Sequence, residues 1–231
     1  MQFLKHRLFR LFFYIFLALI VLLAVTLATL LLAVKSKPAF YAKSLKVEQS
    51  VWVQKSKAAV EKTTETFEKL KPTETKWKTE YTEDEVNGYL AVDLKRDYPK
   101  ILPKEIKNPR IQLLDDQLEF ACEIDSGSFT GILDLGLKIQ FPNPNSCEIR
   151  FQKARLGLLP FSNETIRDLL ADGLRQSGAK VEMKEIEGDP AFIADFAIPL
   201  EEKKLLLLLE NLSVQNGALS LSGSVEKLKK R

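Results

Sequence analysis

The chain has 231 residues, with 34 Lys or Arg against 31 Asp or Glu, two cysteines and one histidine. Once an apolar N-terminal run is set aside, that length leaves one domain with a single core and excludes a multidomain protein. The histidine, His6, lies in the N-terminal tail, which excludes imidazole metal sites and Ser-His or Cys-His nucleophile pairs from the domain.

Residues 11–34 are 24 consecutive uncharged positions. As a helix they measure about 36 Å against a bilayer core of about 30 Å, so they span with some tilt. Lys5, Arg7 and Arg10 ahead of the run resemble the n-region of a signal peptide. The run exceeds a secretory h-region of roughly 7 to 15 residues, and "LLLAVKSKP" offers no small-x-small cleavage site, so the segment reads as a retained anchor. Lys35, Lys37, Lys43 and Lys46 follow it, and the balance of basic residues leaves the orientation open. Large domains translocate regardless of charge, which places residues 1–10 in the cytoplasm as a tail and the C-terminal domain outside it, periplasmic or extracellular.

Residues 1–46 hold seven Lys or Arg and no acid, leaving 27 basic against 31 acidic side chains in the rest. The basic character is therefore juxtamembrane, where it flanks the span or meets anionic head groups. A basic stripe on the domain, needed for nucleic acid, is missing.

Residues 35–71 read as a charged stalk or linker helix, with Val53, Val60 and Phe67 at seven-residue intervals and Glu65 four residues before Lys69. Pro72 ends it. Residues 72–231 form the domain. Trp77, Thr79 and Tyr81 alternate with charge as a short edge strand. Thr82 and Glu85 form a capping box for a helix whose Val86, Tyr89, Leu90 and Leu94 share a face and which Pro99 closes.

From Pro109 the period becomes two, predicting a meander of four strands with links at Asp115–Asp116, Ser126–Ser128 and 142–146. One face carries Leu118, Phe120, Cys122, Ile124, Leu133, Leu135, Leu137, Ile139, Phe141, Cys147, Ile149 and Phe151. The other, with Glu119, Glu123, Asp134, Lys138, Gln140, Glu148 and Arg150, is expected to be solvated. With Asp125 opposite Phe129, Cys122 faces Ile132 near Leu156. Cys147 lies nine positions from Leu156. At about 3.3 Å per residue that is about 30 Å, far beyond the 7 Å limit for a bridge, so both thiols are free and serve as small core residues.

Ser162 or Asn163 caps a helix with Ile166, Leu169, Leu170 and Leu174 as its apolar stripe, ending near Gly178. Strands follow at "AKVEMKEI", "AFIADFAIP" and "KLLLLLENLSV", and Asn216-Gly217 turns the last back into "ALSLSGSV". Leu205 to Leu209 fit a buried helix or a buried strand equally by periodicity; we read a strand. The fold class is α+β: an N-terminal transmembrane helix and stalk, then one domain whose long-stranded antiparallel meander is packed by two helices.

The chain carries no phosphate-binding glycine loop, and the acid pairs Asp115–Asp116 and Glu83–Asp84 sit at a turn and a helix start. The Asn163 sequon doubles as a helix cap. We expect no enzyme activity, no metal and no cofactor. What stands out is "LGLLPFSN" at 156–163, where Leu158, Leu159, Pro160 and Phe161 precede the helix of Ile166, Leu169 and Leu170. This corner either plugs the core or leaves a groove for an acyl chain.

The N-terminal span, "YTEDEVNGYL" at 81–90, "LGLLPFSNETIRDLL" at 156–170 and "LSVQNGALSLSG" at 212–223 together resemble the YpmS-like family of bacterial single-pass membrane proteins. More distantly the layout is similar to bacterial tubular lipid-binding (TULIP-like) domains, in which long curved strands and a helix cradle acyl chains. That likeness implies a groove at Leu158, Leu159, Phe161, Ile166, Leu169 and Leu170, and it supplies no catalytic residue. The expected function is a membrane-anchored extracytoplasmic module that binds a lipid or other apolar ligand without catalysis. The alternative is an envelope scaffold or adaptor that docks a protein partner through a sheet edge or helix.

Overall fold

The computed structural model describes residues 2–70, 76–97, 104–127, 129–176, 179–200, 203–215 and 217–228, with side chains from residue 16. In chain order the elements are α1 (Gln2–Val34), α2 (Ala39–Ser44), α3 (Gln49–Glu68), β1 (Lys76–Thr82), α4 (Glu83–Val92) and α5 (Leu94–Asp97). The meander β2 (Ile106–Leu114), β3 (Gln117–Asp125), β4 (Thr130–Asn143) and β5 (Ser146–Leu156) follows, then β6 (Leu159–Pro160), α6 (Asn163–Gln176), β7 (Lys180–Ile186), β8 (Asp189–Asp195), β9 (Ile198–Leu200), β10 (Leu205–Gln215) and β11 (Ala218–Lys227). The class is α+β, with antiparallel pairing throughout. Within α1 the stretch Phe16–Val34 is one helix long and apolar enough to cross a membrane. The helix already starts at Gln2, so the basic tail continues it.

The meander belongs to a larger sheet of order β2-β3-β4-β5-β8-β7, with β6 also on β5, while β1-β11-β10-β9 form a second sheet. Leu205 to Leu209 pair with β11, with Leu205 and Leu207 buried, so the leucine run is strand. Leu114 faces Gln117 across Asp115–Asp116, and Gln215 faces Ala218 across the Asn-Gly turn, as the turn chemistry dictates. The next register differs from the expectation by one residue. Asp125 pairs with Thr130, so Cys122 lies opposite Leu133, because Ser126 N–H bonds Phe129 O at 3.0 Å and the link is four residues long. Cys147 pairs with Ala194 on β8, and both cysteines are free.

Cys122, Leu133, Leu135, Leu137 and Phe151 share the core face, which Phe192 and Ala194 of β8 extend and which Ile166 and Ala171 of α6 close. A register shift beside Gly136 turns Ala154 onto the same face as Phe151. The helix α6 begins where Ser162 Oγ accepts Thr165 N–H at 3.2 Å, so Ser162 supplies the side-chain cap.

The opposite face is not solvated as the alternation suggests. Tyr41 of α2 is buried there against Ala121 and Ile132, while Val214 of β10 packs with Ile111, Leu113, Leu118 and Phe120 on the core side. The charges of the opposite face are tolerated because they pair: Lys153 Nζ lies 2.8 Å from Glu119 and 3.1 Å from Asp134, and Arg150 lies 2.6 Å from Glu148. Asn145, at φ 57°, staples the sheets together. Its Nδ2 donates to Leu207 O at 2.9 Å and its Oδ1 accepts Leu209 N–H at 2.7 Å. Asp116 N–H donates to Val214 O at 3.2 Å from the neighbouring turn. One end of the meander thus carries the second sheet. The other end, at 126–129 and Gly157–Leu158, lies where α1 stops, about 45 Å away along the 14 residues of β4.

The segment read as a stalk packs on the domain. Trp52, Ser56 and Ala59 are buried on α3, at i, i+4 and i+7, while Val53 and Val60 of the heptad reading face outward. Small residues there let α4 approach closely. The helix ends at Glu68, ahead of Pro72, and Lys203 Nζ caps it by donating to Phe67 O at 2.7 Å and Glu68 O at 2.8 Å. On α4 the capping box forms as expected. Asn87 then docks α4 on β2, donating to Ile111 O and accepting Ile111 N–H, both at 2.8 Å. The helix stops at Val92, and Pro99, Ser128, Asn216 and Gly178 lie outside the described residues.

Candidate functional site

The corner at 156–170 is built by two local signals. Gly157 turns the chain at φ +63°, and the Ser162 cap starts α6 five residues later. Between them the apolar residues go separate ways. Ile166 is 4 % exposed within the core, Leu170 packs half-buried against that core, and Leu159 pairs with Leu156 at the sheet edge. Leu158 and Phe161 are 66 % and 40 % exposed. Leu169 sits on α6, its side chain outside those described. The five described groove residues are therefore split between the closed core, the sheet edge and the surface.

The Gly157 turn instead meets the end of α1. Leu158 N–H donates to Ala33 O at 2.9 Å, satisfying a carbonyl of the last helical turn, and Gly157 N–H donates to Ile132 O at 2.6 Å. A Cβ at Gly157 would lie 2.0 Å from Ala33 O, and one at Gly131 would lie 2.9 Å from Val34 Cγ1. Two glycines make the seat for the helix end.

An apolar cleft of about 350 Å³ opens elsewhere, between α3, α4 and the second sheet. Ala59, Val60, Thr63 and Thr64 form one wall, Val86 and Tyr89 the other, and Leu219 and Leu221 of β11 line it with Tyr81. That volume falls within the roughly 300–1,000 Å³ of small-molecule sites, at the size of a single chain or ring system. Two of the lining hydroxyls are already engaged with each other: Thr63 Oγ1 and Tyr81 Oη are 2.7 Å apart, and Thr63 also donates to Ala59 O. Lys62 Nζ lies 5.6 Å over the Tyr81 ring and 2.8 Å from both Glu85 oxygens. Burial raises the Glu85 carboxyl, but the hydrogen bonds from Lys62 and from Thr82 N–H outweigh it and hold the group below its ordinary value. At the mouth, the hydrogen bond from Arg96 lowers Asp97, which also accepts from Tyr89 Oη at 3.2 Å. The cleft is thus greasy inside and ionised at its rim.

A second cavity of about 380 Å³, by Lys138, Gln140, Glu148 and Asn211, is lined mainly by polar and charged groups. Among the described residues no group of three His, Cys, Asp or Glu comes together to hold a metal. Sequence reasoning missed the apolar cleft because its walls come from positions 59–64, 81–89 and 219–221, each of which reads as an ordinary amphipathic segment. The local hints are Val60 with Thr63 and Thr64 on a mostly polar helix, and Val86 with Tyr89 on the apolar face of the next. No family model, curated protein or solved structure matches the chain.

Proposed function

We propose that this chain is a membrane-anchored, extracytoplasmic module that binds a lipid or other apolar ligand without catalysis, and that the ligand lies in the cleft between α3, α4 and β11. The observation that carries the reading is the lining: Ala59, Val60, Val86, Leu219 and Leu221 present apolar surface beside the paired hydroxyls of Thr63 and Tyr81. Such a cleft gains from an alkyl chain or ring and offers little to a polar substrate. The Asp97 and Arg96 rim suits the polar end of an amphipathic molecule. An anchor at Phe16–Val34 would tether the domain that holds the cleft to a source of such molecules.

Native mass spectrometry of the full chain, released gently from its membranes, tests this directly. A bound apolar species in the parent that is lost from Val60→Trp, which fills the cleft from its outer wall, supports the reading. A ligand-free parent that captures a protein partner through its sheet edge supports an adaptor instead.

A further inference from the structure

The exposed apolar residues of the Gly157 corner are unaccounted for by the cleft. Leu158 is 66 % exposed, Phe161 40 % and Phe129 36 %, at turns where short polar residues are the rule. All three belong to one end of the large sheet, and their position is fixed by the anchor. Leu158 N–H bonds Ala33 O, Ala33 being the penultimate residue of the apolar stretch Phe16–Val34. Phe129 and Val34 both flank Gly131. The uncharged run 11–34 is about 36 Å long as a helix against a hydrocarbon core of about 30 Å, and Lys35 and Lys37 follow it directly, so with some tilt its end lies at the core boundary, and the turn bonded to it lies at the same depth. Around this end the surface is basic. Lys35, Lys37, Lys43 and Lys46 are exposed directly after the helix, Arg155 is exposed opposite Pro160, and the nearby Asp125 carboxylate is neutralised by Lys107.

We propose that Leu158, Phe161 and Phe129 form a second membrane contact, dipping into the head-group region of the leaflet in which α1 ends, and that the surface they meet is an anionic bilayer. The large sheet then stands on the membrane by its 126–129 and 157–161 edge instead of hanging from a mobile tether. The lysines pair with lipid phosphates while the apolar side chains enter the acyl boundary, the combination that interfacial segments use. This rests on the reading that α1 crosses the bilayer, and it is independent of any ligand in the cleft.

The test uses the full chain in nanodiscs of mixed phosphatidylcholine and phosphatidylglycerol. An environment-sensitive thiol dye is placed on Leu158→Cys, with Phe161→Cys as the second site should the first fail to fold. Leu23→Cys inside the span and Asn143→Cys at the far end of β4 serve as references, with the buried Cys122 and the half-buried Cys147 replaced by Ala throughout. Nitroxide on the upper acyl chain should quench the dye at 158 and at 161 by about twofold or more, relative to 143. Quenching at Leu23 with none at either corner site would overturn the contact while leaving the anchor standing. Absence of quenching at Leu23 would remove the anchor and the contact together, with the cleft's ligand still to be judged on its own measurement.

Discussion

Arg110 is the residue at which burial and charge conflict most plainly. It is 5 % exposed, its guanidinium lies 5.2 Å from the Trp52 ring, and no carboxylate pairs with it among the described residues. Burial lowers its pKa, with only the hydrogen bond to Pro109 O and the Trp52 face to offset the lost hydration. Arg110→Met keeps the stem against Trp52 and removes the charge, so it is expected to raise stability by about 1 kcal/mol or more in thermal or denaturant unfolding. The cysteines give a second expectation. Burial pushes the Cys122 thiol up to about 12, and burial with the Glu148 carboxylate does the same to Cys147. Because the folded values are raised, their contribution to stability is whole below the unfolded pKa of about 9 and is lost as pH rises towards 12. Unfolding midpoints should fall between those limits, less steeply in Cys122→Ala. Alkylation at pH 8 should give no adduct in the folded chain and two after unfolding. The free state of both was legible because strand spacing alone separates them; the partner of Cys122 was not, because one residue in a loop shifts every pair along β3 and β4.

Elements that follow from local chemistry were legible: the Thr82 capping box, the Asn-Gly hairpin and the period-two strands each depend on neighbours in sequence. The role of α3 was not. Its Val53, Val60 and Phe67 spacing in a charged segment reads as a stalk, yet the buried line is Trp52, Ser56 and Ala59, and small residues reveal a helix contact only when the partner helix is known. The consequence is testable by truncation. A chain beginning at residue 36 should fold cooperatively, whereas one beginning at residue 72 exposes the Trp77, Leu207 and Val225 cluster that Phe67 and Leu70 cover, and should aggregate or melt broadly. Asn145 is the comparable device between sheets. Asn145→Ala loses both side-chain bonds to β10 and puts at φ 57° a residue without the short polar side chain that eases that conformation, for an expected cost of about 2 to 3 kcal/mol in denaturant unfolding. A change below about 0.5 kcal/mol would mean that the backbone bonds to Leu209 O and Val214 O, with apolar contact, hold β10 without the side chain.

For the whole molecule, the apolar helix α1, the large sheet and the second sheet follow one another from the end of α1 outward. The apolar corner at 156–163 belongs to the end seated on α1, and the apolar cleft to the face where α3 and α4 meet β11. A single sequence shows how apolar each segment is, but not which of them find partners; Ile166 found the core and Leu158 did not. The apolar cleft was not legible from the stripe, because core, cleft and surface contact draw on the same residue types. The central claim, that the α3–α4–β11 cleft receives an apolar ligand, is tested most directly by titrating the full chain in detergent-free nanodiscs with dansyl-labelled undecanoic acid. The account predicts saturable one-to-one binding that Val60→Trp weakens by about tenfold or more, a loss near 1.4 kcal/mol, and that Phe161→Asp leaves unchanged. Binding that survives Val60→Trp in a folded chain but disappears in Phe161→Asp would contradict it.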